Sequence, residues 1–247
     1  MTSDVTSETR REFEVKFLSA AESSFELEAS PQIDRLLKIH EEIGGSGRGR
    51  RHNLEVLNKS AIVLTCAFWE AFVEDLAAEV LEHFAREASS AELLPLELRK
   101  SVAKELASAK HELSSWELAG DGWRAILRAR AAKIKDGEDR TLSTPNSRNV
   151  ETFFCNQAGI SSLTSCWYWP KATVLKNRER LDEFVKLRNA IAHRGGPTDA
   201  TVLKKDARDG LNLVNRLAKL SISYVNKKVA DLVGVDLVPP PMKFPLI

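Results

Sequence analysis

Apolar residues recur at steps of three and four through most of the chain, which is the periodicity of helices that bury one face. One such run, Leu181, Phe184, Leu187 and Ile191, predicts a helix that ends at Gly195-Gly196-Pro197. Glycine readily adopts the left-handed turn that ends a helix, and proline cannot continue one. This helix therefore turns the polar residues between its apolar positions away from the core.

A longer apolar stripe predicts an uninterrupted helix from about His52 to Ala88. Its predicted buried positions are Leu54, Leu57, Ala61, Leu64, Phe68, Phe72 and Leu76. Further helices are predicted over Ser7–Glu28, Pro31–Glu42, Ser101–Lys110, Gly122–Ile134, Asn146–Gln157 and Thr198–Val233. Because only 12 Gly and 9 Pro interrupt a chain rich in helix-forming residues, we predict an all-α fold, a helical bundle.

The 247 residues are enough for one large core or two small ones. We divide the chain into an acidic N-terminal helical extension at residues 1–45, a helical body at 46–235 and a tail at 236–247. The tail contains Pro239-Pro240-Pro241, which favours an extended conformation. We expect this tail to cross a partner subunit.

The net charge of +1 conceals an asymmetry along the chain. Between Lys186 and Lys228, ten Lys or Arg residues accompany three Asp residues, whereas between Glu70 and Glu97 eight acidic residues accompany one Arg. A basic segment favours a phosphate-rich partner because its cations displace condensed counterions. A solvated helix face would show the same charges and stays open as the alternative.

Three cysteines without a CxxC pair indicate a protein of the reducing cytoplasm, and Cys66, which lies in an apolar run, is predicted to be buried. The polar N-terminus is not typical of a signal peptide, and no apolar run approaches the roughly 18 residues of a membrane span. The five histidines have no metal-ligand spacing, so neither a metal nor a cofactor is expected.

The candidate catalytic residues are Arg188, Asn189 and His193, near the end of the predicted helix that contains Leu181 and Ile191. Asn189 and His193 are four residues apart, so the amide can reach the imidazole and orient it. Arg188 lies five residues before His193, roughly 140° around the helix, so the two side chains flank a groove. Arginine grips phosphate oxygens and histidine transfers protons near neutral pH, which suits a phosphodiester. An exposed helix cap with a surface salt bridge is the alternative that spacing alone leaves open.

The motif Arg188-Asn-Ala-Ile-Ala-His193 resembles the signature of the HEPN superfamily of helical RNA-processing domains. Two further stretches resemble its RiboL-PSP branch, in the same order along the chain. These are the apolar helix Ser60–Leu76, with Glu70 inside it, and the segment Thr144–Phe154, followed by Gly159-Ile160. The resemblance covers roughly residues 50 to 225.

This resemblance implies a HEPN-like helical bundle and a metal-independent endoribonuclease that works as a homodimer, with Arg188 and His193 as the catalytic pair. It also encourages the expectation that Glu70 orients Arg188 or His193, although a half-exposed carboxylate on a charged helix flank stays open as the alternative. The 2′-OH of RNA attacks the adjacent phosphate, so His193 is expected to act as general base or acid and Arg188 to bind the developing charge. One His and one Arg per chain are few for this reaction, and a two-fold dimer would double them in one cleft.

Basic residues near the motif are candidates for contact with RNA. Lys186 and Arg194 flank the catalytic pair, and Arg48, Arg50 and Arg51 lie in the glycine-rich segment Gly44–Asn53. That segment lacks the strand and the Gly-Lys-Ser/Thr ending of a P-loop, and a plain linker remains its alternative interpretation. The aromatic segment Cys166–Pro170 is interpreted either as a hydrophobic plug beside the motif helix or as a base-stacking surface.

The sequence leaves two rival functions open. One is a HEPN-like module that binds RNA or a partner protein without cutting, and the other is a helical interaction protein in which the motif only caps a helix. The family suggests toxin or phage-defence roles and therefore a neutralising antitoxin or regulatory partner. No residue in the sequence identifies that partner or the RNA target.

Overall fold

The helices of the protein surround one long central helix. The computed structural model describes residues 12–44, 54–108, 111, 113–137, 142–194 and 201–245. Within these residues the α-helices are α1 (Ala20–Ser23), α2 (Ser30–Gly44), α3 (Glu55–Glu87), α4 (Leu96–Ala107), α5 (Gly122–Lys135), α6 (Ser147–Ala158), α7 (Val174–Arg194) and α8 (Lys204–Val233). Short 3-10 turns occur at Ala91–Leu93, Ser114–Leu118 and Leu163–Cys166.

Helix α3 is the central element because apolar residues occur on almost every side of it. It packs against α1, α2, α5, α6, α7 and α8, and it confirms the long helix predicted from about His52. The predicted buried stripe is wrong in part, since Leu64 is 38% exposed whereas Trp69 is fully buried. A helix covered from several directions has no single buried stripe, so a pattern with one face selects some wrong positions.

The N-terminal helix predicted over residues 7–28 is wrong in its extent. Residues 12–15 form a strand, β1, and the helix begins at Ala20. Ser19 caps it, because its hydroxyl accepts a hydrogen bond from the Glu22 N–H at 3.0 Å. The carboxylate of Glu79 on α3 also accepts from the Ala20 and Ala21 N–H groups at 3.1 and 3.2 Å. The Ser-x-x-Glu spacing of Ser19 and Glu22 is a capping signal that could have located this start.

The helix predicted from Pro31 is confirmed as α2, but no break precedes it. A π-helical segment, Ser24–Ala29, joins α1 to α2 without interruption. The Ser30 N–H bonds to the Phe25 carbonyl, five residues back, and Pro31 has no N–H to donate. A locally widened helix therefore accommodates the proline.

The ends of the described chain meet in a two-stranded antiparallel ribbon. Strand β1 (Glu12–Val15) pairs with β2 (Met242–Pro245). The tail that we expected to cross a partner subunit is therefore paired within its own chain. The alternation of polar and apolar residues at positions 12–15 is typical of a strand, and this signal was hidden by the longer helical pattern around it. The ribbon adds to the helical body without changing the all-α class, which is confirmed.

Helices α7 and α8 approach closely because Gly210 has no side chain. A Cβ atom at Gly210 would overlap the aromatic ring of Phe184 on α7. Trp167, just before α7, is fully buried and donates its indole N–H to the Ser221 hydroxyl on α8 at 3.0 Å. The plug interpretation is thus confirmed for Trp167, while its neighbour Tyr168 is 62% exposed.

Buried His83 on α3 predicts a loss of stability in acid. Its Nε2 lies 3.1 Å from the Val235 carbonyl and Arg86 donates to its Nδ1 at 3.2 Å, an arrangement that needs a neutral ring. Burial lowers the pKa of His83 below its usual range, and the nearby Arg86 charge acts in the same direction. The unfolded chain therefore binds this proton first, so stability falls as the pH drops below the unfolded value of about 6.5.

Urea unfolding of the wild type and of His83→Gln between about pH 7.5 and about pH 5 tests this expectation. The wild type should lose more unfolding free energy than the variant, because glutamine does not titrate. Equal pH dependence in the two proteins would contradict the assignment. His111→Gln is the matched control, since His111 is exposed.

Candidate functional site

Arg188 extends from α7 towards α3, where three groups surround its guanidinium. Its Nε donates to the Sγ of Cys66 at 3.3 Å, and its Nη2 donates to the carbonyl of Ser143 at 3.4 Å. The same Nη2 lies 3.9 Å from Oε2 of Glu70. Cys66 and Glu70 are four residues apart on α3, so they lie on one face of that helix. The guanidinium thus occupies a corner formed by α3, α7 and the segment before α6.

This corner is partly closed to water. The side chain of Arg188 is 19% exposed and that of Glu70 is 28% exposed. A partly buried ion pair is screened less than a surface pair, so the carboxylate favours a particular guanidinium orientation. The expectation that Glu70 lies beside Arg188 agrees with this contact, whereas its role in catalysis stays a prediction.

Cys66 contributes an acceptor rather than a reactive thiolate. Its burial raises the pKa of the thiol above the ordinary value, and the opposing effect of the Arg188 charge is smaller. A neutral, buried thiol is a poor nucleophile and a weak hydrogen-bond acceptor. The prediction that Cys66 is buried is confirmed, but its contact with Arg188 was not foreseen.

The segment Leu142–Ser147, which we call the strap, connects α7 to α3 beside the motif. Trp69 on α3 donates its indole N–H to the Pro145 carbonyl at 3.1 Å. Asp182 on α7 accepts from the N–H and the hydroxyl of Ser147 at 2.7 and 3.0 Å. Together with the bond from Arg188 to Ser143, these contacts hold the strap at three points.

The side chain of Asn146 begins α6 by accepting a hydrogen bond from the Asn149 N–H at 2.8 Å. The Asn149 amide returns a bond to the Thr144 carbonyl at 2.9 Å. Asn146 is a typical helix cap, and α6 confirms the helix predicted from that residue. These local bonds stiffen the strap between its points of contact with α3 and α7.

His193 lies near the end of α7 with its side chain exposed, and Asn189 is half-buried one turn earlier. The structure describes both side chains, and no hydrogen bond joins them, so the expected orientation of the imidazole by Asn189 is not seen in the single chain. Arg188 is directed inward and His193 is exposed. The two motif side chains therefore lie on different sides of the helix, as their spacing predicts.

A cleft of about 440 Å³ lies between α7 and α8. Leu187 lines it, together with Phe184 and Gly210, but neither Arg188 nor His193 does. The groove expected between Arg188 and His193 is therefore not this cleft. Its carboxylates, Glu183, Asp206 and Asp209, outnumber its two arginines, which also disfavours a polyanion there.

The basic residues near the motif have different environments. Lys186 is exposed on α7. The side chain of Arg194 and the whole segment with Arg48, Arg50 and Arg51 lie outside the described residues. Their predicted contacts with RNA stay predictions.

Several cations of α8 are paired with the acidic N-terminal helices. Lys204 pairs with Glu41, Arg208 with Asp34, and Lys219 with Glu26 at 3.0 Å. The charge asymmetry of the sequence is thus partly neutralised inside the fold. Among the basic residues of this half, Lys186 and Arg188 lie on the motif helix α7 itself.

Neither a metal-binding group of side chains nor a membrane-spanning helix occurs in the described part of the chain. Within it, no three His, Cys, Asp or Glu side chains are grouped closely enough to hold a metal ion. Within the same residues, no helix is both long and apolar enough to span a membrane.

The match to a family model decides the relationship. The RiboL-PSP-HEPN model matches residues 29–226, which is most of the chain. The chain belongs to the RiboL-PSP-HEPN family. The match contains Glu70, the strap and the motif of α7, so the resemblance inferred from the motifs is confirmed, and membership suggests a nuclease or another RNA-related function. No curated protein and no solved structure matches this RiboL-PSP-HEPN chain.

The match also bears on where the helical body of this RiboL-PSP-HEPN protein begins. It begins at residue 29, upstream of the predicted boundary at residue 45, and therefore includes α2. Helix α2 packs on α3 and α8, and its buried Ile33 and Leu37 belong to the common core. The division into an extension, a body and a tail stays a prediction.

Proposed function

We propose that this RiboL-PSP-HEPN protein is an endoribonuclease that cleaves RNA through attack of the RNA 2′-OH on the adjacent phosphate. The observation that carries the proposal is the environment of Arg188. A guanidinium held by α3, α7 and the strap, inside a motif of a nuclease-associated family, supports a preorganised site for the charge of a phosphorane. Glu70 and the strap reduce the conformational freedom that Arg188 would otherwise lose on binding phosphate.

His193 supplies the proton transfers in this proposal. The imidazole removes the proton of the 2′-OH as O2′ bonds to phosphorus, and the bond from phosphorus to the 5′ oxygen breaks. That oxygen takes a proton from a second imidazole, leaving a 2′,3′-cyclic phosphate and a 5′-hydroxyl. The exposure of His193 supports this role, because an exposed imidazole is accessible to substrate.

A symmetric homodimer would supply the second imidazole. Arg188 and His193 lie on different sides of α7, and the exposed face of this helix also carries Lys186 and Leu175, the latter 67% exposed. Two such faces packed about a two-fold axis would place both His193 residues near one RNA strand. In that arrangement Asn189 would orient the imidazole, and Lys186 and Arg194 would contact flanking phosphates.

RNA cleavage by the purified protein should survive excess EDTA and leave 2′,3′-cyclic phosphate ends. The nucleophile is already present in RNA, so no metal-activated water is needed. An oligonucleotide with a single 2′-deoxy substitution at the cleaved position should resist cutting there, while its all-RNA counterpart is cut. Loss of cleavage in EDTA, or cutting at the deoxy position, would contradict the mechanism.

The same contacts favour one alternative function. An arginine with three partners on its own chain also suits a structural role, and the protein would then bind RNA or a partner without cutting. In that case the protein would retain a salt-dependent RNA affinity and leave the RNA intact. A chain with neither affinity nor cleavage would instead be a helical interaction protein.

The setting that we propose is the cytoplasm, as a toxin or phage-defence effector controlled by a neutralising antitoxin or regulatory partner. Three free thiols, those of Cys66, Cys155 and Cys166, support a reducing compartment. A nuclease without such control would damage the RNA of its own cell. Co-expression with neighbouring gene products, scored by rescue of growth, tests this setting.

A further inference from the structure

Asp182 is an exposed residue of α7 whose two carboxylate oxygens nevertheless both accept a hydrogen bond. Its Oδ1 accepts the Ser147 N–H at 2.7 Å, and its Oδ2 accepts the Ser147 hydroxyl at 3.0 Å. The two residues are 35 positions apart in sequence. Hydrogen bonds to an ionised carboxylate are roughly twice as strong as neutral ones, so this pair fixes the C-terminal end of the strap on α7.

The other end of the strap touches the motif. Ser143 accepts a hydrogen bond from Nη2 of Arg188 through its carbonyl at 3.4 Å. Asp182 precedes Arg188 by six residues, about 9 Å along the helix axis. The strap therefore spans the motif side of α7, and its two ends are fixed by side chains of the same helix. Pro145 lies between these ends, where Trp69 binds its carbonyl at 3.1 Å.

We propose that Asp182 is a positioning residue that places the guanidinium of Arg188 through Ser147 and the strap. The strap is short and contains a proline, so its freedom is restricted and a shift at Ser147 moves the Ser143 carbonyl. Without that acceptor, Nη2 of Arg188 keeps only the more distant Glu70. The inference rests on the proposed catalytic role of Arg188 for its effect on cleavage, but its structural step does not.

Asp182→Asn tests the proposal, because the amide keeps the size of the side chain and loses the charge and one of the two acceptor oxygens. Its kcat for RNA cleavage should fall about tenfold to a hundredfold with little change in KM, as expected for a misplaced group that acts in the transition state. Ser147→Ala should also lower kcat, but by a smaller factor, since it removes only the hydroxyl. Glu179→Gln is the matched control, an exposed carboxylate one turn earlier on α7, and should cut at the wild-type rate.

The Arg188→Ala background separates positioning from a structural role. If Asp182 acts through Arg188, then adding Asp182→Asn to Arg188→Ala should lower the residual rate no further. A further tenfold loss in the double variant would overturn the proposal, because Asp182 would then act by stabilising α6 or by another route. Circular dichroism and thermal unfolding of each variant identify any loss of fold.

A second measurement needs no cleavage. The Nε–H of Arg188 should exchange slowly with deuterated water in the wild type, because it bonds to Cys66 in a partly closed corner. Its NMR signal is assigned by its absence in Arg188→Lys. Exchange should be at least about tenfold faster in Asp182→Asn, because a guanidinium without its Ser143 acceptor turns away from Cys66 more often. It should be unchanged in Glu179→Gln.

The two measurements distinguish the proposals. Wild-type protein that cuts no RNA would refute the proposed function, while the exchange rates would still decide whether Asp182 positions Arg188. If the Arg188 Nε–H exchanges in Asp182→Asn at the wild-type rate, the positioning role is overturned whether or not the protein cuts RNA.

Discussion

His193→Ala and Arg188→Ala should each lower the rate of RNA cleavage by about two orders of magnitude or more. Alanine at position 193 removes the proton acceptor, and alanine at position 188 removes the guanidinium that binds the phosphorane charge. The helical signal should change little in His193→Ala, because that side chain is exposed. Cleavage of a fluorescent RNA under single-turnover conditions measures both effects.

Three further variants sharpen this expectation. Arg188→Lys should also be poor, because a point ammonium loses the bidentate grip on phosphate and the contacts of the planar guanidinium with Cys66 and Ser143. His111→Ala and Arg99→Ala are the controls, since each replaces an exposed residue of the same type. His193→Ala cutting at the wild-type rate would refute the catalytic assignment and favour the binding module.

Trp69→Ala should destabilise the fold by about 3–5 kcal/mol, the usual cost of truncating a buried aromatic side chain. The indole is fully buried, stacks on Phe72 with ring centroids 5.6 Å apart, and lies 6.0 Å from the ring of Trp167. Its N–H also holds the Pro145 carbonyl of the strap. The change therefore creates a cavity and leaves a carbonyl without its partner. Urea unfolding measures the loss.

Trp69→Phe separates the two contributions. Phenylalanine keeps part of the aromatic packing but cannot donate to Pro145, so this variant should lose less stability than Trp69→Ala. Phe68→Ala is the neighbouring control, because Phe68 is only partly buried and makes no bond to the strap. A Trp69→Ala protein as stable as Phe68→Ala would contradict the central position of the indole.

The helices were predictable where a single periodic pattern decided them. The bounds of α5 and the burial of Cys66 follow from local apolar spacing, and the start of α6 also follows from its capping residue Asn146. The same reasoning failed at residues 12–19, where a short strand and a serine cap interrupt an apparently continuous helical pattern. It also put Leu64 in the buried stripe of α3, although this residue is 38% exposed and neighbours cover the helix from several sides.

The candidate site was predictable only in its motif residues. The spacing of Arg188 and His193 placed them on different sides of α7, and the contact of Glu70 with Arg188 agrees with one of the two partners expected for that carboxylate. The contacts of Arg188 with Ser143, and of Asp182 with Ser147, join residues 45 and 35 positions apart. No periodicity within one sequence encodes such pairs, because they depend on how helices dock after they form. The bonds of α8 cations to the N-terminal helices escaped prediction for the same reason.

Gly210 determines the axial register of the motif helix. The ring of Phe184 fills the space that a side chain at position 210 would take, so it lies in a notch of α8. Sliding α7 by one helical turn, about 5.4 Å, would move this ring from the notch towards Asp206 or Val214, the positions one turn away on the same face of α8. Arg188 belongs to the same rigid helix and keeps its level relative to Cys66, Glu70 and Ser143 for this reason. A glycine on a different helix thus sets the position of the guanidinium along the helix axis, level with its three partners.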